Sequence, residues 1–169
     1  MDKDSLIVKK VDPEDGSIRW YLKGFLHRED GPAVIYVDGT EHWYRNGVHH
    51  RADGPATTYA EGGERWLLNG LLHRTDGPAV TWSDGSEFWY LNGLRHREDG
   101  PAVLCPGGYE FWYLNGIHHR IDGPAVVRPD GYEYWFVNGV LHRTVGPAVS
   151  SSDGTQEWWI NGERQPDPD

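Results

Sequence analysis

The sequence has little sulfur: one cysteine, Cys105, and one methionine in 169 residues. A single thiol forbids an intramolecular disulfide and fits a reducing compartment. No apolar run approaches the ~20 residues of a membrane span, and Leu6-Ile7-Val8 is too short for a signal-peptide core. A soluble, cytoplasmic chain is expected. Lysine is scarce as well, with Lys3, Lys9, Lys10 and Lys23 the only four, and acids outnumber bases 26 to 16 for a net charge of -10. That balance excludes duplex nucleic acid held by phosphate neutralisation and disfavours anionic membrane surfaces. No P-loop, dinucleotide motif, nucleophile–base pair or metal-ligand spacing is present. The expectation is therefore a protein that is not an enzyme, with no cofactor and no metal.

What the chain has in quantity is Gly 22, Pro 11 and 13% aromatics, nine of them Trp. Glycine and proline are poor in helix interiors and aromatics pack well on pleated surface, so turn-rich β structure is implied. The order is periodic. His-Arg begins at 27, 50, 73, 96, 119 and 142, Trp stands at 20, 43, 66, 89, 112, 135 and 158, and Gly at 24, 47, 70, 93, 116, 139 and 162, always 23 residues apart. Asn precedes each of those glycines except after Lys23. Asp-Gly stands at 15, 38, 84, 130 and 153, replaced by Glu61-Gly62 and Gly107-Gly108. The unit reads DGxExWYxNGxxHRxDGPAVxxx, 23 positions.

Asn-Gly and Asp-Gly supply the positive φ angles of tight hairpin turns, and the runs between them are too short for helix. Each repeat is predicted to be one β-hairpin, with Pro-Ala-Val opening the first strand and Glu-x-Trp-Tyr forming the second. Period-two alternation puts Glu41 and Trp43 on one side and His42 and Tyr44 on the other. Stacked hairpins would then align Trp43, Trp66, Trp89, Trp112 and Trp135 into a ladder that serves as a continuous core. Residues 1–14 are expected to cap the start, residues 15–162 to form the array, and residues 163–169 to be an acidic tail.

The 23-residue period, the Trp-Tyr strands (Trp89-Tyr90, Trp112-Tyr113), the Asn-Gly turn and the glycine of the return turn resemble the MORN-repeat proteins, in the bacterial and viral variant type with NGxxHRxDGPA runs. The likeness covers roughly residues 15–162. It implies an elongated all-β array of about seven antiparallel hairpins used as a scaffold. Members of the wider variant group include antitoxin components. The sequence departs from the usual pattern in carrying Arg-x-Asp-Gly-Pro where closely spaced glycines are expected, and Glu41, Glu64 and Glu87 two residues before Trp.

Candidate chemistry sits in four rows. His50, His73, His96 and His119 fall ~10 Å apart in stacked hairpins, too far to share one ion, and read as structural groups of the inter-repeat turn. Each Arg of His-Arg is followed two residues on by Asp in five of six repeats, with Val145 the exception. This implies a local Arg–Asp pair, or alternatively a row of guanidiniums for a small anionic ligand, and makes Arg143 the one to look unpaired. Glu41, Glu64, Glu87, Glu110 and Glu133 form an acidic edge together with Asp38, Asp84, Asp130 and Asp153. The remaining rows vary between repeats: Tyr36, Tyr59, Trp82 and Cys105 in one, Arg65, Phe88, Phe111 and Tyr134 in the other. A scaffold with a specific partner needs such non-identical side chains, and these two rows are the candidate binding face. The expected function is protein binding as an inhibitor, antitoxin or counter-defence protein. The alternatives are a sponge for a nucleotide-like signal, held by Arg and Trp rows, and a module that self-associates through its end hairpins.

Seven hairpins at ~10 Å each would form a plate ~65 Å long with a radius of gyration near ~20 Å, against ~15 Å for a compact domain of this length. Small-angle scattering reads the difference, and a compact value excludes the extended array.

Overall fold

The computed structural model describes residues 6–168; the first five residues of the expected cap, and Asp169 of the tail, lie outside the described residues. The chain is all-β: 26 short strands, paired antiparallel, and no helix among the described residues. No helix is long and apolar enough to cross a membrane. Two compact units are formed, residues 1–83 and 84–169. Each is built from the same repeated device.

That device is two hairpins per repeat where one was expected. In the repeat around Trp43, Val34–Ile35 pairs with Glu41–His42 through the Asp-Gly turn, and Tyr44–Arg45 pairs with Val48–His49 through the Asn-Gly turn. The second strand does not run straight through Trp43. The Trp43 N–H donates to the Ala56 carbonyl in the sheet of Asp-Gly hairpins, while its own carbonyl accepts from His50 N–H in the Asn-Gly hairpin. Tryptophan is thus the corner residue, serving one hairpin with its N–H and the other with its C=O. The same pair of bonds forms at Trp20, Trp66, Trp89, Trp112 and Trp135.

The two turns differ in kind. Asn46 and Gly47 both take positive φ, 51° and 78°, as a two-residue type I′ turn requires. In the Asp-Gly turn only the glycine does, Gly39 at 92°. There the Gly39 N–H donates to the Tyr36 carbonyl and the Tyr36 N–H to that of Thr40, a type I turn followed by a bulged glycine. Asp38 contributes through its side chain instead, accepting the Thr40 N–H at 2.8 Å.

The fully buried core is smaller than a tryptophan ladder. Apart from Leu67, it consists of the Ala and Val that open each first strand: Ala33, Val34, Ala56, Ala79 and Val80 in the first unit, and Ala102, Val103, Ala125, Val126, Ala148 and Val149 in the second. Trp43, Trp66, Trp89, Trp112 and Trp135 are half-buried, because one ring face is covered by arginine. The guanidinium carbons of Arg28, Arg51, Arg74, Arg97, Arg120 and Arg143 lie 3.9 to 4.4 Å from the ring centroids of their own repeats' tryptophans. The glycine of Asp-Gly-Pro closes the guanidinium's other side. A Cβ on Gly31, Gly54, Gly77, Gly100 or Gly123 would stand 2.4 to 2.8 Å from that carbon, so any larger residue there displaces the guanidinium.

The chain ends join the array. Val8–Val11 pairs with Ile18–Leu22, so part of the expected cap is a strand, and Glu163–Gln165, expected in the tail, pairs with Trp158–Ile160 to close the last Asn-Gly hairpin.

Gly100→Ala is expected to push the Arg97 guanidinium off Trp89 and to cost about 1–3 kcal/mol as an overpacking change. Urea denaturation checks this, and in an Arg97→Ala background the same substitution should cost distinctly less, since the group it collides with is gone.

Candidate binding face

Antiparallel register determines which side chains share a side. In the first unit the chain of cross-strand partners Val34↔His42↔Thr57↔Arg65↔Val80 runs across five strands, and in the second Phe88↔Val103↔Phe111↔Val126↔Tyr134↔Val149↔Glu157 does the same. Small buried residues alternate with large variable ones. Two positions along on the same side, each strand carries the other variable row, so the two candidate rows do share a face. Tyr36 meets His42 edge-on at 5.3 Å between centroids, Tyr59 and Trp82 lie 5.3 Å apart, and Tyr109 stacks beside Phe111 at 6.4 Å. Trp82 is 41% exposed. Cys105 pairs in register with Tyr109 and is a free, half-buried thiol.

The Asn-Gly hairpins add residues that the one-hairpin reading left out. Tyr44 and His49 join His42 in the first unit, the Tyr44 hydroxyl and His49 Nε2 forming one hydrogen bond and Thr57 Oγ1 and His49 Nδ1 another at 3.5 Å. In the second, His118 stacks between Tyr113 at 4.0 Å and Phe136 at 5.2 Å. Arg95 Nη1 donates to the Tyr113 hydroxyl at 3.2 Å and its Nε to that of Tyr90 at 3.3 Å. The signal available was the parity of Tyr44 with His42.

No carboxylate pairs with Arg65 among the described residues, whereas Arg19, the cross-strand partner of Val34 in the same row, is paired with Asp12 and Asp15. Arg65 Nε and His42 Nδ1 are buried without a partner. Burial lowers the His42 pKa, with the Arg65 charge adding. Burial, then His42 and Arg65, lower that of His49 to about 4. His118 is likewise held low by burial with Arg95 adding, against a bond to the Trp112 backbone.

The other predicted rows lie elsewhere. Glu41, Glu64, Glu87, Glu110 and Glu133 are half-buried on the tryptophan side, where Trp66 Nε1 donates to Glu64 Oε2 at 3.3 Å. Asp38, Asp84 and Asp153 sit at hairpin tips, where each carboxylate accepts a backbone N–H two residues on. Bonds from the Thr155 side chain and N–H, with the Tyr132 hydroxyl, take the Asp153 pKa down to about 2. The repeated histidines tie successive repeats together. Nδ1 of His27, His50, His96, His119 and His142 lies 3.1 to 3.2 Å from the backbone N–H of Asn46, Asn69, Asn115, Asn138 and Asn161, a hydrogen bond from one repeat to the next. His73 is also engaged.

The arginine row is occupied. Nε of Arg28, Arg51, Arg74, Arg97 and Arg120 donates to the Asp two residues on at 2.8 to 3.1 Å, and Nη1 to the Pro carbonyl four residues on at 3.3 to 3.4 Å. The local pair is formed wherever the sequence allows it. Hydrogen bonds from Arg, then its charge, hold Asp30, Asp53, Asp76 and Asp99 below the usual carboxylate range. No group of three or more metal-ligating side chains comes together among the described residues. No family model matches the chain and no curated protein matches it.

The depressed His49 pKa makes stability pH-dependent with a definite sign. Between pH 6.5 and about 4 the unfolded chain binds a proton at this ring that the folded chain does not, so stability is full above 6.5 and declines as pH falls toward 4. Below that, the paired aspartates, whose pKa is lowered from 3.8, add a second loss. Denaturation across this range should show the first decline flattened in His49→Gln, and an NMR titration should place the His49 midpoint near 4.

Proposed function

We propose that this chain is a non-catalytic scaffold that binds another protein through the aromatic side of its sheet, as an inhibitor or antitoxin-like component. The observation that supports this reading is the alternation of buried small residues with variable large ones along a cross-strand row within each unit. Val34, Thr57, Val80, Val103 and Val126 anchor the sheet; His42, Arg65, Phe88, Phe111 and Tyr134, with Tyr36, Tyr59 and Trp82 beside them, change from repeat to repeat. A set of units identical on this side would bind in every register equally. Interface centres favour Trp, Tyr and Arg, which are the types found here. The resemblance to MORN-repeat variants points the same way. The guanidinium row speaks against a nucleotide sponge, since five of its members already hold an aspartate.

Trp82→Ala and Phe111→Ala are expected to weaken capture of the partner from the native host by more than ~1 kcal/mol each while leaving the melting transition in place. Glu87→Gln with Glu110→Gln, on the opposite side, should mainly slow association and flatten its salt dependence. Capture unchanged by both aromatic substitutions would remove the aromatic side as the interface.

A further inference from the structure

On the tryptophan side, grooves open between successive repeats, each bounded by one Arg-x-Asp turn and the tryptophan and Arg-x-Asp turn of the next. The groove over Trp43 has a volume of 320 Å³ and is lined by the carboxylates of Glu29 and Asp53, and that over Trp112, of 460 Å³, by Glu98, Asp99 and Asp122. The groove over Trp135 is 520 Å³ and has one carboxylate, Asp122, which is already bound by Arg120 at 3.1 Å.

This groove is where the clamp lacks its aspartate. Val145 stands in the Asp position, and Arg143 has no carboxylate partner among the described residues. The guanidinium nonetheless keeps the stack and the carbonyl bond of the others. It stacks on Trp135 at 3.9 Å, and its Nη1 donates to the Pro147 carbonyl at 2.9 Å. Its Nε and Nη2 make no hydrogen bond among the described residues, and neither is among the fully buried unpartnered atoms. The walls change character in the same place. Ile121 and Val145 are 79% and 80% exposed, and Val137 lines the groove between them. The residue at the Ile121 position is Glu, Ala or Thr in every other repeat: Glu29, Ala52, Thr75, Glu98 and Thr144.

We propose that the groove over Trp135 binds an acidic peptide segment of a protein partner, an Asp or Glu side chain docking on the free Nε–Nη2 edge of Arg143 and a neighbouring aliphatic side chain resting on Ile121, Val137 and Val145. The ligand carboxylate takes the position that Asp30, Asp53, Asp76, Asp99 and Asp122 fill in their own repeats. A planar guanidinium edge with two parallel donors matches a carboxylate. A dianionic phosphate would leave one charge uncompensated beside Asp122, in a groove with a single free cationic edge. Fixing the arginine in advance by stack and carbonyl lowers the ordering cost of binding. The proposal goes beyond the scaffold reading and uses residues on the other side of the sheet, so either can fail without the other.

The test is a titration of the full chain with acetyl-Leu-Asp-Leu-amide, read by the arginine Nε–H resonances. A saturable shift at Arg143 Nε–H, with none at Arg97 or Arg120, is the expected result. Acetyl-Leu-Asn-Leu-amide should bind about tenfold more weakly or worse, as loss of a charged hydrogen-bond partner implies. Val145→Asp, which restores the Arg-x-Asp-Gly-Pro sequence of the other repeats and so should fold, should weaken the aspartyl peptide by a similar factor without lowering the melting temperature. Ile121→Glu should weaken it too. No shift at Arg143, equal binding of the two peptides, or unchanged binding by Val145→Asp overturns the proposal. So does sodium acetate binding as tightly as the peptide, which would leave the apolar walls no part.

Discussion

Everything in the repeat is arranged around a guanidinium held between a tryptophan ring and the backbone of a glycine. The arrangement meets three requirements with one side chain: the ring face is covered, the turn that leads back into the sheet is closed by the Pro carbonyl, and the positive charge is answered by an aspartate two residues away. A cation over a partly desolvated indole gains more than one in open water. Each part constrains the next. The ring must stand at the corner between the two hairpins to be within reach, and the glycine must lack a side chain because the guanidinium occupies that space. A core of alanine and valine suffices because the arginine's aliphatic stem and the indole beside it supply the apolar cover that a larger core would otherwise provide.

Much of this was legible in the residues. The period, both turns, the antiparallel pairing and the Arg–Asp pair follow from the spacing of His-Arg, Asn-Gly and Asp-Gly, because turn chemistry is local and carries its own geometry. The corner at tryptophan was not legible. An alternating strand and a strand that bends midway have the same sequence pattern over four residues, and what separates them is which carbonyl each N–H finds, a tertiary fact. That one misreading accounts for the others: with a single hairpin Trp43 is a core residue, and His49 has no place on the variable face. The Arg97 stack on Trp89 likewise needs an eight-residue return that no periodicity expresses.

The two sides of the sheet therefore carry different kinds of information. On the tryptophan side repetition is nearly strict, because each clamp is over-determined and a change at one member strands the others. On the aromatic side only alternate positions are bound to the fold, and the residues between them are free to differ. The Val145 position is where the strict side departs from its pattern: Gly146 takes a positive φ of 92°, which its five counterparts do not, and a Cβ built on it would stand 3.2 Å from the guanidinium carbon.

The ties between repeats are short in sequence. Within each unit, Arg28 N–H reaches the Tyr44 carbonyl, Asn46 N–H reaches His27, Gly47 N–H reaches the Leu26 carbonyl and Ser152 Oγ reaches that of Asp130, none spanning a full repeat. A segment of 23 residues can accordingly be excised or duplicated in the gene with every such bond re-formed between new neighbours, while loss of a single residue puts every later partner out of step. The length of the protein is a count of modules, and lineages are free to change it in whole steps and in no others.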